Sequence, residues 1–551
     1  MCKLHSFKKI LLAIVFSCTF LSGFCQVVPV KPKLVVLLVI EQMRYEYLDR
    51  FSPHFSSGGF KKLLAEGTQC ADAHLNFAYG HSASCFASLS TGTTPANHGI
   101  IGNSWYNRKS MSKTNCISDD NYPSIGDDTH DEYQVSAQNL IATTFGDELM
   151  LQSFGRSRSY TISIDPMAAV MCSGHRSNGT FWMNEYTGNW MSGTYYNKTL
   201  PTWLHQFNDK GFAKLYSNRT WNTFLPIEKY KESSRDDAKF EIGIKNQHSF
   251  PYLLSKMNDP FKPYKFLRCT PFGNTYTKDL AIELIENEKL GKTDYTDFLT
   301  IAYTATEEIG NKFGCVSKEI EDTYVRLDFE LMFFLNYLET HIGKDNFLLI
   351  VTSTHGMSIS PKYDLQKSMK LGTFKPIETM YLLDKYLDVT FGEDDWIEHY
   401  NNLQIYFNRS ALRKHNVQLA EIEDDCTEFL SQLTGIQTVI GSVWLSSHNF
   451  CSNEIYRYVD NAYNPTRSAD LFLVLKPGWG EQTTDMVGTH LSPYNYDTHV
   501  PLIWYGWKME PKILKQPVEL TDIIVSLCDI TKTAKPSMAT GKLIENLYKQ
   551  Y

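Results

Sequence analysis

Leu34–Ile40 is an unbroken run of seven aliphatic residues ending on the acidic Glu41, and it constrains the fold more than any other feature of the chain. A strand with one wet face alternates apolar and polar residues. A run that is apolar throughout needs cover on both faces, which is the setting of a central strand in a parallel sheet. Ligand sites in open α/β sheets lie at the carboxyl ends of such strands, where Glu41 falls. Phe347–Thr352 repeats the pattern and leads into Ser353, Thr354, His355 and Gly356. A third run, 299–303, leads into Thr306, Glu307 and Glu308, and Leu471–Leu475 with 500–504 are expected to complete the sheet. Between them, 319–338 places Leu327, Leu331, Phe334, Leu335 and Leu338 at three- and four-residue spacing, a helix with an apolar stripe turned to a core. Strands alternating with helices predict an α/β fold, a mostly parallel central sheet with helices on both faces. The stretches 106–133, 182–266 and about 377–470 show no clean period and read as insertions capping the sheet.

Lys3, Lys8 and Lys9 precede the apolar stretch 10–24, with Gly23 and Cys25 just before Gln26. That pattern predicts a secretory signal peptide over 1–25 and an exported chain, periplasmic or secreted. The apolar stretch is shorter than the roughly 20 residues a spanning helix needs, and no later segment predicts a membrane span. A net charge of −8 without a basic run excludes a broad nucleic-acid surface. Of twelve cysteines, Cys2, Cys18 and Cys25 lie in the leader; the others form no CxxC pair, which argues against a thiolate-bound metal.

The segment 76–103 reads NFAYGHSASCFASLSTGTTPANHGIIGN. Ser82 follows a polar loop and opens a helix-like stretch, a place where free backbone N–H groups and the helix dipole favour an anion. A plain N-cap serine is the competing reading.

In this segment and in blocks placed in order along the chain, the sequence resembles the phosphate-irrepressible alkaline phosphatases of bacteria, within the alkaline phosphatase superfamily. The blocks are KLVVLLVIEQMRYEYLDRF, the serine segment, TPFGN, EIEDTYVRLD, TSTHG and SPYNYDTHVP. The resemblance implies an alkaline phosphatase-like fold over 26–551 and a two-zinc site with a hydroxyl nucleophile. It places the nucleophile at Ser82 and an amide donor to phosphate at Asn103. One zinc falls on Glu41, Thr354 and His355, the other on Glu307, Asn311 and His499. The family's Lys-x-Arg pair, which holds phosphate dianions, falls on Asp165 and Met167, so those cations are lost.

Counting donors leaves Glu41, Glu307, His355 and His499 able to ligate, with Asn311 and Thr354 as neutral, poor ligands. A catalytic zinc usually has three protein ligands, so a full zinc pair is not expected. Three functional readings follow. The first is a degenerate phosphate-ester hydrolase, weak or inactive, that binds a ligand or protein partner in the old cleft. The second is an active enzyme with a rewritten site, holding a single Mg²⁺ or Ca²⁺ and acting on monoesters, diesters or sulfate esters. The third is a glycan-binding surface on Trp182, Trp190, Trp203 and Trp221. Bland roles compete at each position: His355 and His499 as interior histidines held by carbonyls, and Glu41 as the partner of Arg44 or Lys61.

Overall fold

Ten strands build the central sheet of the computed structural model, which describes residues 31–127, 134–360, 363, 371–447, 453–483 and 486–548. The leader predicted over 1–25 lies outside the described residues. In chain order the strands are β1 (Leu34–Ile40), β2 (Thr68–Cys70), β3 (Ser124–Ile125), β4 (Ser159–Ser163), β5 (Gly179–Met183), β6 (Trp190–Gly193), β7 (Asp297–Tyr303), β8 (Phe347–Thr352), β9 (Leu502–Gly506) and β10 (Lys512–Leu514). Across the sheet they follow the order β10-β2-β9-β8-β1-β7-β4-β5-β6-β3. The five from β8 to β5 are parallel, while β9 pairs antiparallel with β8 and β6 antiparallel with β5.

β1 sits in the middle for the reason its composition gives. Every residue in it is at most 1% exposed. Val35, Leu37 and Val39 join one core with Ala83 and Phe86 of helix α1 (Ser82–Thr91). Leu34, Val36, Leu38 and Ile40 join a second core on the other face, with Leu280 of α3 (Pro271–Asn287) and Leu331 of α5 (Lys318–His341). Between these in the chain come α2 (Pro166–Ser173), after β4, and α4 (Ala305–Phe313), after β7. At about 1.5–3 kcal/mol per fully buried aliphatic side chain, a polar residue within β1 would be among the costliest changes to the fold. The helix expected over 319–338 extends three residues beyond its last apolar position, and Ser317 caps it by accepting the Ile320 N–H.

Two expectations are corrected. Leu471–Leu475 does not join the central sheet; it pairs antiparallel with Gln404–Phe407 and Ile436–Gly441 in a separate four-stranded sheet completed by Ile397–Asn401. An apolar run reports cover on both faces but not which sheet supplies the neighbours. The tryptophans proposed as a sugar platform are core: Trp182, Trp190 and Trp221 are fully buried and Trp203 is 9% exposed. The stretch from 182 onward also supplies the end of β5 and all of β6. Cys70, Cys85, Cys116, Cys172, Cys269, Cys315, Cys426 and Cys528 are buried free thiols. No described helix is long and apolar enough to cross a membrane.

Candidate active site

The carboxyl ends of β1, β4 and β7 open onto a cavity of about 310 Å³ lined by Glu41, Ser82, Asn103, Asp165, Met167, Glu307 and Asn311, and also by Arg268, Asn402 and His490. Ser82 is the first residue of α1, with His81 in the capping position. Its hydroxyl does not cap the helix; it donates to the Glu307 carboxylate, 3.2 and 3.1 Å from the two oxygens. The side chain of Asn103 accepts the Ala83 N–H at 3.0 Å through Oδ1, which leaves its Nδ2 donor for the cavity.

Glu307 lies on the first turn of α4, His355 just past β8, and His490 in a loop bound to the segment after His355. Ser358 N–H donates to the Thr489 carbonyl at 2.8 Å and Gly356 N–H to the Asp497 carbonyl at 2.6 Å. Gly356 is required for that approach, since a Cβ there would stand 2.2 Å from the Tyr496 carbonyl oxygen. As a result one donor atom from each of Glu307, His355 and His490 falls within 4.8 Å of the others. Glu307 Oε1 is 3.8 Å from His355 Nε2 and 3.6 Å from His490 Nε2, and the two imidazoles stack at 4.1 Å.

Both rings are oriented for a metal. His355 Nδ1 is 2.8 Å from the Gly356 carbonyl and His490 Nδ1 2.9 Å from the Gly80 carbonyl. A carbonyl only accepts, so each Nδ1 carries the proton and each Nε2 presents its lone pair. His355 Nε2 is buried without a hydrogen-bond partner, and burial, then His490, hold its pKa well below the usual histidine range. Two imidazoles and a carboxylate fit one divalent ion with an open fourth position.

A second ion is not fitted. The Asn311 carbonyl oxygen accepts from Gln42 Nε2 at 3.0 Å, and the Thr354 hydroxyl accepts the Gln42 N–H at 3.3 Å. Gln42 holds a left-handed φ of 59° with its amide against Gly310, where a Cβ would lie 1.9 Å from it. Glu41 pairs with neither Arg44, which bonds Glu46 at 3.1 Å, nor Lys61, which donates to the Phe55 carbonyl. It is buried, one of its oxygens has no hydrogen-bond partner, and burial, then the Glu307 charge, drive its pKa well above the usual carboxylate range. Each carboxyl acts on the other in opposite senses, Glu307 raising Glu41 and Glu41 lowering Glu307, so of the two Glu41 is the one held more strongly in its neutral form. Glu307 is itself raised, chiefly by burial.

Because both carboxyls titrate higher in the folded chain, that state binds more protons, and stability falls as pH rises from about 4.5 through the raised values. Glu41→Gln, a neutral isostere that can still donate to Glu307, is therefore expected to raise the melting temperature of the metal-free protein at pH 8 and to have little effect at pH 4.5. Equal shifts at both pH values would contradict a protonated Glu41.

Sequence reasoning placed His499 in this cavity; the structure puts it in a different cluster, with Asp72 and His74. His490 stands in its place, and the signal was a second histidine two residues before the SPYNYDTHVP block. Arg268, just before TPFGN, was also missed. It bonds Asp165, Glu185 at 2.9 Å and Glu308 at 3.2 Å. Burial opposes its charge, but Asp165, Glu308 and Glu185 outweigh that and hold it protonated. Asp165 also caps α2 through Met167 and Ala168 N–H. Asn402, at the tip of the hairpin between Ile397–Asn401 and Gln404–Phe407, brings the 377–470 insertion into the cavity wall.

The profile of the type I phosphodiesterase / nucleotide pyrophosphatase family matches residues 35–493. Alkaline phosphatase PafA of Elizabethkingia meningoseptica is 35% identical over 521 residues, 93% of this chain and 94% of that protein. Alkaline phosphatase PhoV of Synechococcus elongatus is 33% identical, covering 94% and 93%. The crystal structure of wild-type PafA superimposes with a TM-score of 0.89 at 34% identity, over 94% of this chain and 99% of that one.

Proposed function

Given that the chain belongs to the type I phosphodiesterase / nucleotide pyrophosphatase family, we propose that it is an exported phosphate-ester hydrolase reduced to one divalent ion, weak, and better suited to diesters than to monoesters. The observation that carries this reading is the convergence of Glu307, His355 and His490 beside the Ser82 hydroxyl, while the positions for a second ion are engaged by Gln42 or protonated. Export rests on the leader pattern at 1–25.

A divalent ion held by Glu307, His355 and His490 would supply Lewis-acid polarisation of a phosphoryl oxygen. The chain's own groups do the rest. Both Glu307 oxygens lie within hydrogen-bond distance of Ser82 Oγ, so one oxygen remains to take the serine proton when the other is engaged. Ser82 Oγ then forms the bond to phosphorus as the bond to the leaving oxygen breaks, and water later releases the phosphoryl group from the serine. Asn103 Nδ2 and the amino end of α1 steady the non-bridging oxygens.

The diester preference follows from charge. Asp165, Glu307 and Glu308 line the cavity, Glu41 adds a neutral carboxyl, and the arginine among the described lining residues, Arg268, is engaged by carboxylates. At an effective dielectric of about 20, each extra like-charge pair about 6 Å apart costs about 3 kcal/mol, and a monoester dianion brings one more negative charge than a diester.

The test is turnover of bis(4-nitrophenyl) phosphate and 4-nitrophenyl phosphate by the mature chain, with metal analysis of the same preparation. Expected are a higher kcat/KM for the diester, a drop of about 10³-fold or more in Ser82→Ala, and loss of one bound ion in His490→Ala. Absence of Ser82-dependent turnover of either ester would end the hydrolase reading.

A further inference from the structure

His499 belongs to a second group of ligand atoms. One nitrogen of His74, one of His499 and an oxygen of Asp72 lie within 4.8 Å of one another, half-buried. They come from two segments fixed side by side by the backbone. His74 and His499 form an antiparallel bridge, Leu75 N–H donates to the Thr498 carbonyl at 2.9 Å, and Val500 N–H donates to the Ala73 carbonyl at 3.0 Å. The two imidazoles stack at 4.7 Å and 14°, and Tyr45 stacks on His499 at 4.2 Å. The rings are thus held before any ligand arrives.

Each ring has an outer partner of the kind a metal-bound imidazole uses. His499 Nε2 lies 3.0 Å from the Ala71 carbonyl, so it carries the proton and leaves the Nδ1 lone pair free. His74 Nε2 is 2.8 Å from Asp72 Oδ1, and its Nδ1 is 3.3 Å from the Thr498 hydroxyl. Without an ion that short approach is a hydrogen bond donated by Nε2–H to Asp72; when a cation enters, the ring proton moves to Nδ1, where the Thr498 hydroxyl accepts it, and Nε2 and Asp72 both present lone pairs to the ion. Each ring then has one nitrogen held by an outer partner and one open to a cation. The Asp72 side chain is 44% exposed, which leaves an entry path and room for water.

We propose that Asp72, His74 and His499 form a second, structural metal site for a borderline divalent ion of the zinc or cobalt class, clamping residues 72–74 to the chain before β9. Two imidazoles with one carboxylate select that class over Mg²⁺ or Ca²⁺, which prefer all-oxygen sets. An ion bound only in the folded state raises thermal stability by mass action. The proposal is independent of the active-site reading, and it means that two ions per chain would not by themselves indicate a two-metal centre.

The experiment loads the full mature chain with Co²⁺ or Zn²⁺, removes free metal by dialysis, and measures metal per chain and melting temperature. Wild type, Asp72→Asn, His499→Ala and His490→Ala are compared. Two ions per wild-type chain are expected. Asp72→Asn, a mild change at a half-exposed position, and His499→Ala each lose one ion and part of the metal-induced thermal shift, with ester turnover retained. His490→Ala loses the other ion and keeps that shift. Wild-type metal content in both Asp72→Asn and His499→Ala overturns the proposal. If wild type holds a single ion, its loss in His499→Ala upholds this site and ends the one-ion cavity reading; its loss in His490→Ala does the reverse.

Discussion

Changing two cavity positions and one buried beside them together, Glu41→Asp, Asn311→His and Thr354→Asp, is expected to add a second divalent ion and to raise phosphate-ester turnover by about 100-fold or more. In the present chain none of the three offers a charged donor. Glu41 is protonated by burial and by Glu307, the Asn311 oxygen is spent on Gln42, and the Thr354 hydroxyl accepts the Gln42 N–H. The triple variant supplies two carboxylates and an imidazole next to Ser82, the minimum for a catalytic ion. The shorter carboxylate at 41 also withdraws from Glu307. Charge stabilisation by a second ion is worth several kcal/mol, and about 3 kcal/mol corresponds to about 100-fold in rate. Metal content and kcat/KM for both nitrophenyl esters check this. Asn311→His alone should bind no further ion, because Glu41 and Thr354 stay uncharged. A triple variant that binds the extra ion without gaining rate would locate the deficit in substrate charge, at Asp165 and Met167, rather than in the metal count.

Much of this architecture was legible from the chain because it rests on local pattern. The apolar runs at 34–40 and 347–352, the second closed by Thr352, are strands with the predicted bounds, since a strand covered on both faces has few polar positions to blur its ends. The alternating residues of β1 divide between two cores, as a central strand requires. What escaped was set by long-range contact. His490 and His499 are both histidines in or beside the block SPYNYDTHVP, and nothing in their spacing tells which faces Glu307. That is decided by the Ser358–Thr489 pairing on one side and the His74–His499 bridge on the other. Arg268 escaped for the same reason: its three carboxylates come from segments 103, 83 and 40 residues away. Ser82 taken alone reads first as a helix cap and only its neighbouring blocks suggest a nucleophile, because the partner of its hydroxyl, Glu307, lies 225 residues away.

Arg268→Met is expected to destabilise the folded protein by about 3–5 kcal/mol, the usual cost of leaving buried partners of an ion pair uncompensated. Asp165, Glu185 and Glu308 all converge on this guanidinium, whose side chain is 19% exposed. Glu185 also has Lys262 at 3.3 Å. Arg268→Lys keeps the charge but not the planar fork that reaches three acceptors, so an intermediate loss is expected. Arg268→Met with Asp165→Asn should recover part of the loss, because the amide still caps α2 while one uncompensated charge is removed. Denaturant unfolding of the three variants at pH 7 reads the effect. A loss below about 1 kcal/mol would mean that the guanidinium is a dispensable surface charge, in which case it would be free to hold a substrate phosphate. A large loss with an unchanged diester KM in the residual folded protein assigns it instead as the counter-ion of Asp165, and the cavity as one that has given up its phosphate cations without replacing them.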